Sequence, residues 1–507
     1  MSLQRLDGPS PTALHDLRSS RSIEQQLASQ LPAHTLMQRA GRSLGQLAMA
    51  LAPHAKTIWI ACGPGNNGGD GLEAAIFLHQ AGMNVHLTHF KGHGLLPQDA
   101  QSALQRVQAS GIEFQTQSPL LAQGDLVLDC LLGIGASRAP RGELAQCVAC
   151  INQSEATVLS ADQPTGLDAQ TGQALLDENG APGPTIDADH TLMLVTAKPG
   201  LLMGLGRDAA GQLWLDDLTR SSAEQSVFTH HPPCSQVNPA PRPHPPRKHN
   251  SHKGSYGDVA IIGGEALAER GMGMTGAAFL AASAALHAGA GRVLISLLKA
   301  PHATSALEIN PEQPEGMLRT FAALNLQELT VVCGCGGGQA VRRVLAQVLQ
   351  RSQQLVLDAD GLNAVAQDVN LSQLLKNRSA RGLATVLTPH PLEAARLLNC
   401  TTTDIQAQRL QSAQALATQW ACTVVLKGAG TVIACPGEVS RINATGNAQL
   451  ATAGTGDVLA GWIGAKMAQG LSAFEAASQA VEGHGHLADQ WPGPERLTAS
   501  ALARLAH

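Results

Sequence analysis

Asp457 stands alone among small residues in ATAGTGDVLAG (451–461), just ahead of an apolar run that predicts a helix. The glycines leave backbone N–H groups exposed before that helix, which makes an anion hole. A carboxylate set against phosphates is electrostatically unfavourable unless it must accept a proton there. A general base that strips a hydroxyl as it attacks a terminal phosphate meets that condition. Taken alone, Asp457 is equally well a helix N-cap. Its companions weigh against that reading. LKGAGT (426–431) adds Lys427, a phosphate counter-charge, on a second glycine loop; TPHPLEAARLL sets His390 between two prolines; GCGGG (334–338) is a third loop with accessible backbone.

The first half carries a different set. GPGNNGGDG (63–71) is not the GxGxxG dinucleotide fingerprint, and the next strand ends in THFK without the acid that would hold a ribose hydroxyl, which disfavours a standard NAD-dependent dehydrogenase. Asn66, Asn67 and Asp70 instead place amide and carboxylate groups among glycines, ahead of a helix N-terminus that favours an anion. Asp129 with GIGASRA (133–139) forms a second flexible loop, and DQPTG (162–166), with Asp162 and Thr165, forms a third. Three oxygen-rich loops at one sheet edge could chelate a hard cation. They could equally be ordinary strand-to-helix turns with capping residues.

Such loops need parallel strands behind them. TIWIACGPGNNGGDGLEAAIFLHQAGMNVHLTHF predicts strand 57–62, loop 63–69, helix 70–81 and strand 84–90, a βαβ unit with its loop where open α/β sheets bind ligands. HTLMQRAGRSLGQLAMALA places Leu36, Ala40, Leu44 and Leu47 on one helical face. DLVLDCLLG, ATVLSADQPTG and TLMLVTAKPG extend the pattern. The second half alternates strand and helix in the same way, so parallel, helix-covered sheets are expected in both halves. Between 229 and 253, THHPPCSQVNPAPRPHPPRKHNSHK holds seven prolines, which exclude helix and central strand; an exposed, semi-rigid linker is expected. That divides the 507 residues into 1–228 and 254–507.

Composition narrows the class further. Hydrophobic residues make up 44%, charged residues 14% and aromatics 3%, with 52 glycines, which suits an α/β enzyme built on small-residue layers. A net charge of -5 gives no reason to expect nucleic acid or an anionic membrane as partner. The N-terminus, MSLQRLDGPSPTALHDL, has no apolar h-region, and no run of about 18 apolar residues occurs. The ten cysteines are therefore expected as reduced thiols in a cytoplasmic protein. Cys147 and Cys150 form a CxxC without a second pair to complete a zinc site, and fit two thiols on a buried helical face. Cys333 and Cys335 are expected as small residues in a glycine loop.

HTLMQRAG, GPGNNGGDG, LLGIGASR and DQPTGLDAQTG together resemble the NAD(P)HX epimerase domain, which inverts C6 of hydrated nicotinamide dinucleotides. The resemblance covers most of 20–220 and implies a Rossmann-like three-layer α/β sandwich. It puts the substrate on Asn66, Asn67, Gly68, Gly69 and Asp70, on Gly133, Ile134, Gly135, Ala136, Ser137, Arg138 and Ala139, and on Asp162, the candidate proton-handling group. It puts potassium on Asn67, Asp129 and Thr165, where threonine replaces the family's usual serine and keeps its hydroxyl.

GSYGDVAIIGG, MTGAAFLAASAALHAGAGRV, CGCGGG, DADGLN, TPHPLEAARL, KGAGT and GNAQLATAGTGDVLAG resemble the ADP- or ATP-dependent NAD(P)HX dehydratase branch of the ribokinase-like α/β sandwich, over nearly all of 254–465. This resemblance implies that Lys427, Gly428, Ala429, Gly430, Thr431 and Gly456 hold the nucleotide, which brings magnesium with it. It implies that Ala277, Gly338, His390 and Asp457 hold the hydrated dinucleotide, with Asp457 activating its C6 hydroxyl. CGCGGG departs from the family's usual GPGLG but keeps the glycine spacing. The expected protein is thus a fused repair enzyme, a homo-oligomer, acting on NADHX or NADPHX with ADP or ATP. Two alternatives remain: a small-molecule kinase using the same GTGD loop, and a non-catalytic scaffold in the first half.

Overall fold

The computed structural model describes residues 3–6, 11–92, 94–241, 248–299, 313–493 and 495–506. The chain divides into two compact units, the boundary falling between Gln236 and Val237.

In the first unit, eight strands among the described residues run in the order Gln4–Arg5, Gln212–Asp216, His190–Leu194, Thr157–Ala161, Leu126–Cys130, Ile58–Cys62, Val85–His89, Phe114–Gln115. All neighbours are parallel except the first pair. Ile58–Cys62 and Leu126–Cys130 are buried along their whole length, as strands covered by helices on both faces must be. The helix Thr35–Leu51 buries Ala40, Leu44 and Leu47 as its spacing predicts, while Leu36 is only partly covered and lines a cavity.

The helix after the first of these strands begins at Asn66, not at residue 70, so the expected loop 63–69 shrinks to 63–65. The glycines are there for packing. A Cβ on Gly68 would stand 2.0 Å from the Gly63 carbonyl oxygen, and one on Gly71 would stand 2.7 Å from Cβ of Cys130. The chain opens the helix early because only glycine lets its first turns lie this close to the strand ends. Gly68→Ala is therefore expected to destabilise the first unit by about 1–3 kcal/mol through overpacking, despite alanine's helix propensity. Urea denaturation would read this as a lower midpoint for the first unit with the second unchanged.

The second unit has nine strands among the described residues, ordered Met317–Leu318, Arg292–Leu298, Asp258–Glu265, Thr330–Cys333, Gln354–Leu357, Ala384–Leu387, Thr423–Leu426, Val432–Ala434, Arg441–Ile442. The sheet is parallel as far as Thr423–Leu426, but Val432–Ala434 runs antiparallel to both of its neighbours, which corrects the all-parallel expectation. KGAGT is the cause: a five-residue connection closes a hairpin and is too short for a crossover to a parallel strand. The small-residue helices Thr275–His287 and Thr455–Ala468 cover this sheet, and they pack so closely that a Cβ on Gly461 would stand 2.0 Å from the Ala281 carbonyl oxygen.

The stretch 229–253 is not a tether throughout. Ser226–His230 forms a 3₁₀ turn, and Ser235 and Gln236 pair antiparallel with Leu14 and Ala13. Asn238 is buried in the second unit, donating to Asn443 Oδ1 (3.0 Å) and to the Ser478 carbonyl (2.8 Å). Prolines bar interior ladder positions but leave the short non-proline run SQVN free to pair. Residues 242–247 lie outside the described residues. All ten cysteines are free thiols; Cys147 is buried and Cys150 half-buried on the helix Glu143–Asn152.

Candidate active sites

In the first unit the strand ends surround a cavity of about 590 Å³. Asn66, Asn67, Asp70, Gly133, Ile134, Gly135, Ala136 and Asp162 line it together, as their positions at one sheet edge require. Gly68 and Gly69 lie beneath the helix start, where they face Gly63 and Met37. Ser137 and Arg138 are exposed beyond the lining, and Ala139 is buried with its N–H bonded to the Leu176 carbonyl.

Asp162 follows the strand Thr157–Ala161 with φ 65°, a left-handed conformation costly for a non-glycine residue. Its N–H is tied to the Leu192 carbonyl at 2.7 Å, and the turn directs the carboxylate into the cavity. There it is ion-paired with Lys198, whose side chain is 1% exposed and whose ammonium also donates to the Leu194 carbonyl at 2.8 Å. No motif marks Lys198: a lysine in AKPG has the local pattern of a solvated strand end, and only its burial sets it apart. Asp70 has its carboxyl pushed far above the usual carboxylate range, by burial first and then by Glu24, Asp162, Glu73 and Asp99.

Asp129 sits beneath this cavity, fully buried. Its carboxylate accepts from Ser160 Oγ (2.8 Å), Thr165 Oγ1 (2.7 Å), Thr165 N (2.9 Å) and Leu131 N (3.2 Å). Burial raises its pKa, these hydrogen bonds oppose the rise, and no cation is among its partners. Both side-chain polar atoms of Asn67 are buried without a partner. An orphaned amide oxygen, a hydroxyl and a buried carboxylate are the donor types a hard monovalent cation takes.

In the second unit Asp457 lies in the first turn of the helix Thr455–Ala468, after Gly454 at φ 92°. Its carboxylate, the Asp358 carboxylate and the Cys335 thiol place one ligand-type atom each within 4.8 Å of one another. Lys427 bonds Asp358 at 2.7 Å, and its ammonium lies 3.3 Å from where a Cβ on Gly456 would be. Glycine at 456 thus leaves the lysine room beside the helix N-terminus. Thr388 Oγ1 also donates to Asp358 (2.7 Å). Burial and the nearby Asp358 raise the Asp457 carboxyl to about 6, with Lys427 opposing. A base must be deprotonated to act, so any activity that needs this carboxylate as a base should fall about tenfold per pH unit below pH 6 and level off above it. A kcat/KM profile from pH 5 to 8 checks this.

The neighbouring loops are held by residues that carry no motif. Arg409 is buried and donates to the carbonyls of Leu426 (3.2 Å), Lys427 (3.2 Å) and Gly430 (3.3 Å), clamping KGAGT. His484 is buried, its pKa lowered to about 4 by desolvation, and its Nε2 bonds the Thr455 carbonyl (2.9 Å). Glu265 accepts from Ala340 N (3.0 Å) and packs where Gly338 lacks a side chain. Ala277 lies beside Gly336 of the same loop. His390 caps the helix Pro391–Leu398: Nδ1 accepts from the N–H groups of Leu392 (3.2 Å) and Glu393 (3.3 Å), so the proton sits on Nε2, 3.1 Å from Glu393. The adjacent Pro389 carbonyl accepts from Lys427 N, which links this cap to KGAGT. Gly428, Ala429 and Thr431 occupy the hairpin between the two strands. Cys335 is more than a small spacer, since its thiol is buried against both carboxylates.

Two α/β units, one with a carboxylate–lysine pair in a cavity and one with an acid at a glycine-rich helix start, define a two-site enzyme class. Residues 33–200 match the family profile described as YjeF-related protein N-terminus, and residues 259–506 match the one described as NAD(P)H-hydrate dehydratase. The chain is 35% identical over 469 residues to the bifunctional NAD(P)H-hydrate repair enzyme Nnr of Escherichia coli (strain K12), covering 90% of this chain and 85% of that one. It is 32% identical over 490 residues to the Coxiella burnetii enzyme of the same name, covering 94% and 95%. Among solved structures, the ADP/ATP-dependent NAD(P)H-hydrate dehydratase of Bacillus subtilis, co-crystallized with ATP/Mg2+, aligns at 28% identity and a TM-score of 0.41 over 52% of this chain and 92% of that one. The chain belongs to the bifunctional NAD(P)H-hydrate repair enzymes.

Proposed function

We propose that residues 1–228 epimerise R-NAD(P)HX to the S form and that residues 254–507 dehydrate S-NAD(P)HX to NAD(P)H at the expense of ADP or ATP. The observation that carries this reading is the pairing of two unlike sites in one chain. One is a cavity with an ion-paired acid and no phosphate-transfer machinery. The other is an acid–lysine centre at a helix N-terminus.

In the dehydratase half, Lys427 and the glycine backbone of 428–431 and 456 hold the nucleotide, whose magnesium ion neutralises its phosphates. Asp457 takes the proton of the C6 hydroxyl as that oxygen attacks the terminal phosphate. The phosphate ester then leaves C6 while a proton leaves C5, which restores the ring double bond. Ala277, Gly338 and His390 border the dinucleotide. In the epimerase half, Asn66, Asn67, Asp70, the 133–139 loop and Asp162 bind the same substrate. Asn67, Asp129 and Thr165 hold potassium, which would supply fixed positive charge beneath the cavity. The protein works as a cytoplasmic homo-oligomer; among the described residues no helix is long and apolar enough to cross a membrane. A small-molecule kinase is not favoured, because such an enzyme has no use for the first unit.

The test follows reduced-nicotinamide absorbance as the protein meets an R/S mixture of NADPHX with magnesium and ADP or ATP, in potassium or sodium buffer. Full recovery is expected in potassium, with the R share delayed in sodium. Nucleotide consumption without any recovery would defeat the assignment.

A further inference from the structure

The helix Leu17–Ser29 precedes the residues matched by the first family profile, yet it forms one wall of the N-terminal cavity. Ile23 and Leu27 bury its apolar face, at 0% and 1% exposure. Ser20, Arg21, Glu24 and Ala28, one to four residues apart on the adjacent stripe, line the cavity. The lining carries four carboxyl groups, Glu24, Asp70, Asp99 and Asp162, against two permanent cations, Arg21 and Lys198. Lys198 is bound to Asp162, and Asp99 is bound to His34. Arg21 turns its guanidinium to the Ile134 carbonyl at 3.3 Å. Glu24 and Asp70 are left as acids facing a cavity that already holds the Asp162 carboxylate.

We propose that Glu24 is a catalytic residue of the epimerase, the acid that protonates the C6 hydroxyl of the hydrated nicotinamide ring, with Asp162 as its basic counterpart. The proposal rests on the epimerase reading of the first unit. Three neighbouring carboxyl groups cannot all ionise. Asp162 is ion-paired with Lys198. Glu24 is raised by burial and by Asp162, partly offset by Lys198 and Arg21, with Asp99 a smaller influence. Asp70 is raised well above the usual carboxylate range, by burial first and then by Glu24 and Asp162. Glu24 is the member poised to give one up.

The step balances. The Glu24 carboxyl gives its proton to the C6 hydroxyl, the C6–O bond breaks, and water leaves with the bonding pair. The N1 lone pair forms a C6=N1 double bond. Water adds to the opposite face of C6, the N1 pair is restored, and Asp162 takes the surplus proton. Asp162 and Glu24 then exchange that proton through the carboxyl cluster. Inversion by this route exchanges the C6 oxygen with solvent.

The experiment uses the full chain and R-NADPHX in ¹⁸O-water, following inversion by chromatography and label by mass spectrometry. Wild type should incorporate ¹⁸O at C6 with each inversion and lose activity as pH rises through the raised Glu24 pKa. Glu24→Gln should slow both inversion and exchange about 10²-fold, with Glu24→Asp partly restoring them. The dehydratase rate on S-NADPHX should be unchanged, which reports an intact chain. Inversion by Glu24→Gln within threefold of wild type would overturn the proposal. So would wild-type inversion without label, whatever the stability of the variants. A wild type that does not invert R-NADPHX at all would instead sink the epimerase reading itself.

Discussion

Asp457→Asn is expected to lower the dehydration rate of S-NAD(P)HX by about 10²–10⁴-fold, the range spanned by loss of a positioned general base. The amide is isosteric, so Cys335 and Asp358 keep their packing and the Lys427–Asp358 bond at 2.7 Å has no reason to break. Nucleotide affinity should therefore change little, and the loss should appear in kcat rather than in KM. Removing the acid also removes a charge that burial and Asp358 disfavour, so the variant should be at least as stable as wild type at pH 7.5. The sign follows from the raised pKa. The folded state binds the Asp457 proton more tightly than the unfolded chain, so stability falls as pH rises from about 3.8 to about 6 and stays lower above it, and asparagine has no such cost. Epimerisation of R-NAD(P)HX by the same variant should match wild type. Stopped-flow absorbance for dehydration, with chromatographic separation of the epimers, reads both halves in one sample. A variant that keeps a tenth or more of wild-type kcat would remove Asp457 from the chemistry.

Lys198→Met should have the second large effect, and it should reach both stability and activity. The ammonium is buried at 1% exposure and neutralises Asp162. Breaking a buried pair from one side strands a charge and costs about 3–5 kcal/mol, whereas replacing both partners is far milder. Lys198→Met should therefore lower the urea midpoint of the first unit strongly. The double variant Lys198→Met/Asp162→Asn should recover most of that loss, and neither should epimerise. If the double variant were no more stable than the single one, the pair would not be the source of the effect. Active epimerisation by Lys198→Met would show that the reaction does not need the Asp162–Lys198 pair.

The two variants separate chemistry placed by local sequence from chemistry placed by the fold. The Asp457 result tests chemistry placed by a local motif, since GTGD fixes the acid in a helix's first turn whatever lies around it. The Lys198 result tests chemistry placed by the fold. It depends on a strand order that sets His190–Leu194 beside Thr157–Ala161, and on the turn at Asp162 that follows.

The sequence by itself determined the elements and the acids. Alternating apolar runs and glycine turns predict the parallel strands, and small residues after a strand mark where a ligand can approach the backbone. Asp162 and Asn67 were legible as cavity residues because each falls at a strand end or helix start, and Asp457 because it falls in the first turn of a helix; Asp129 and Thr165 turn inward and are fully buried. The partners of these acids were decided only by tertiary structure. Lys198, Asp358, Arg409, Glu24 and His484 lie in stretches whose local pattern is that of a surface lysine, a helix cap or an amphipathic helix. Their roles come from burial and from contacts across tens to more than a hundred residues, such as Lys427 with Asp358 and Lys198 with Asp162. The start of the helix at Asn66 and the antiparallel edge after KGAGT were likewise set by close backbone packing and loop length, quantities a one-dimensional pattern does not contain. A carboxylate's position is a local property of the chain, but its charge state is a property of what folding brings beside it.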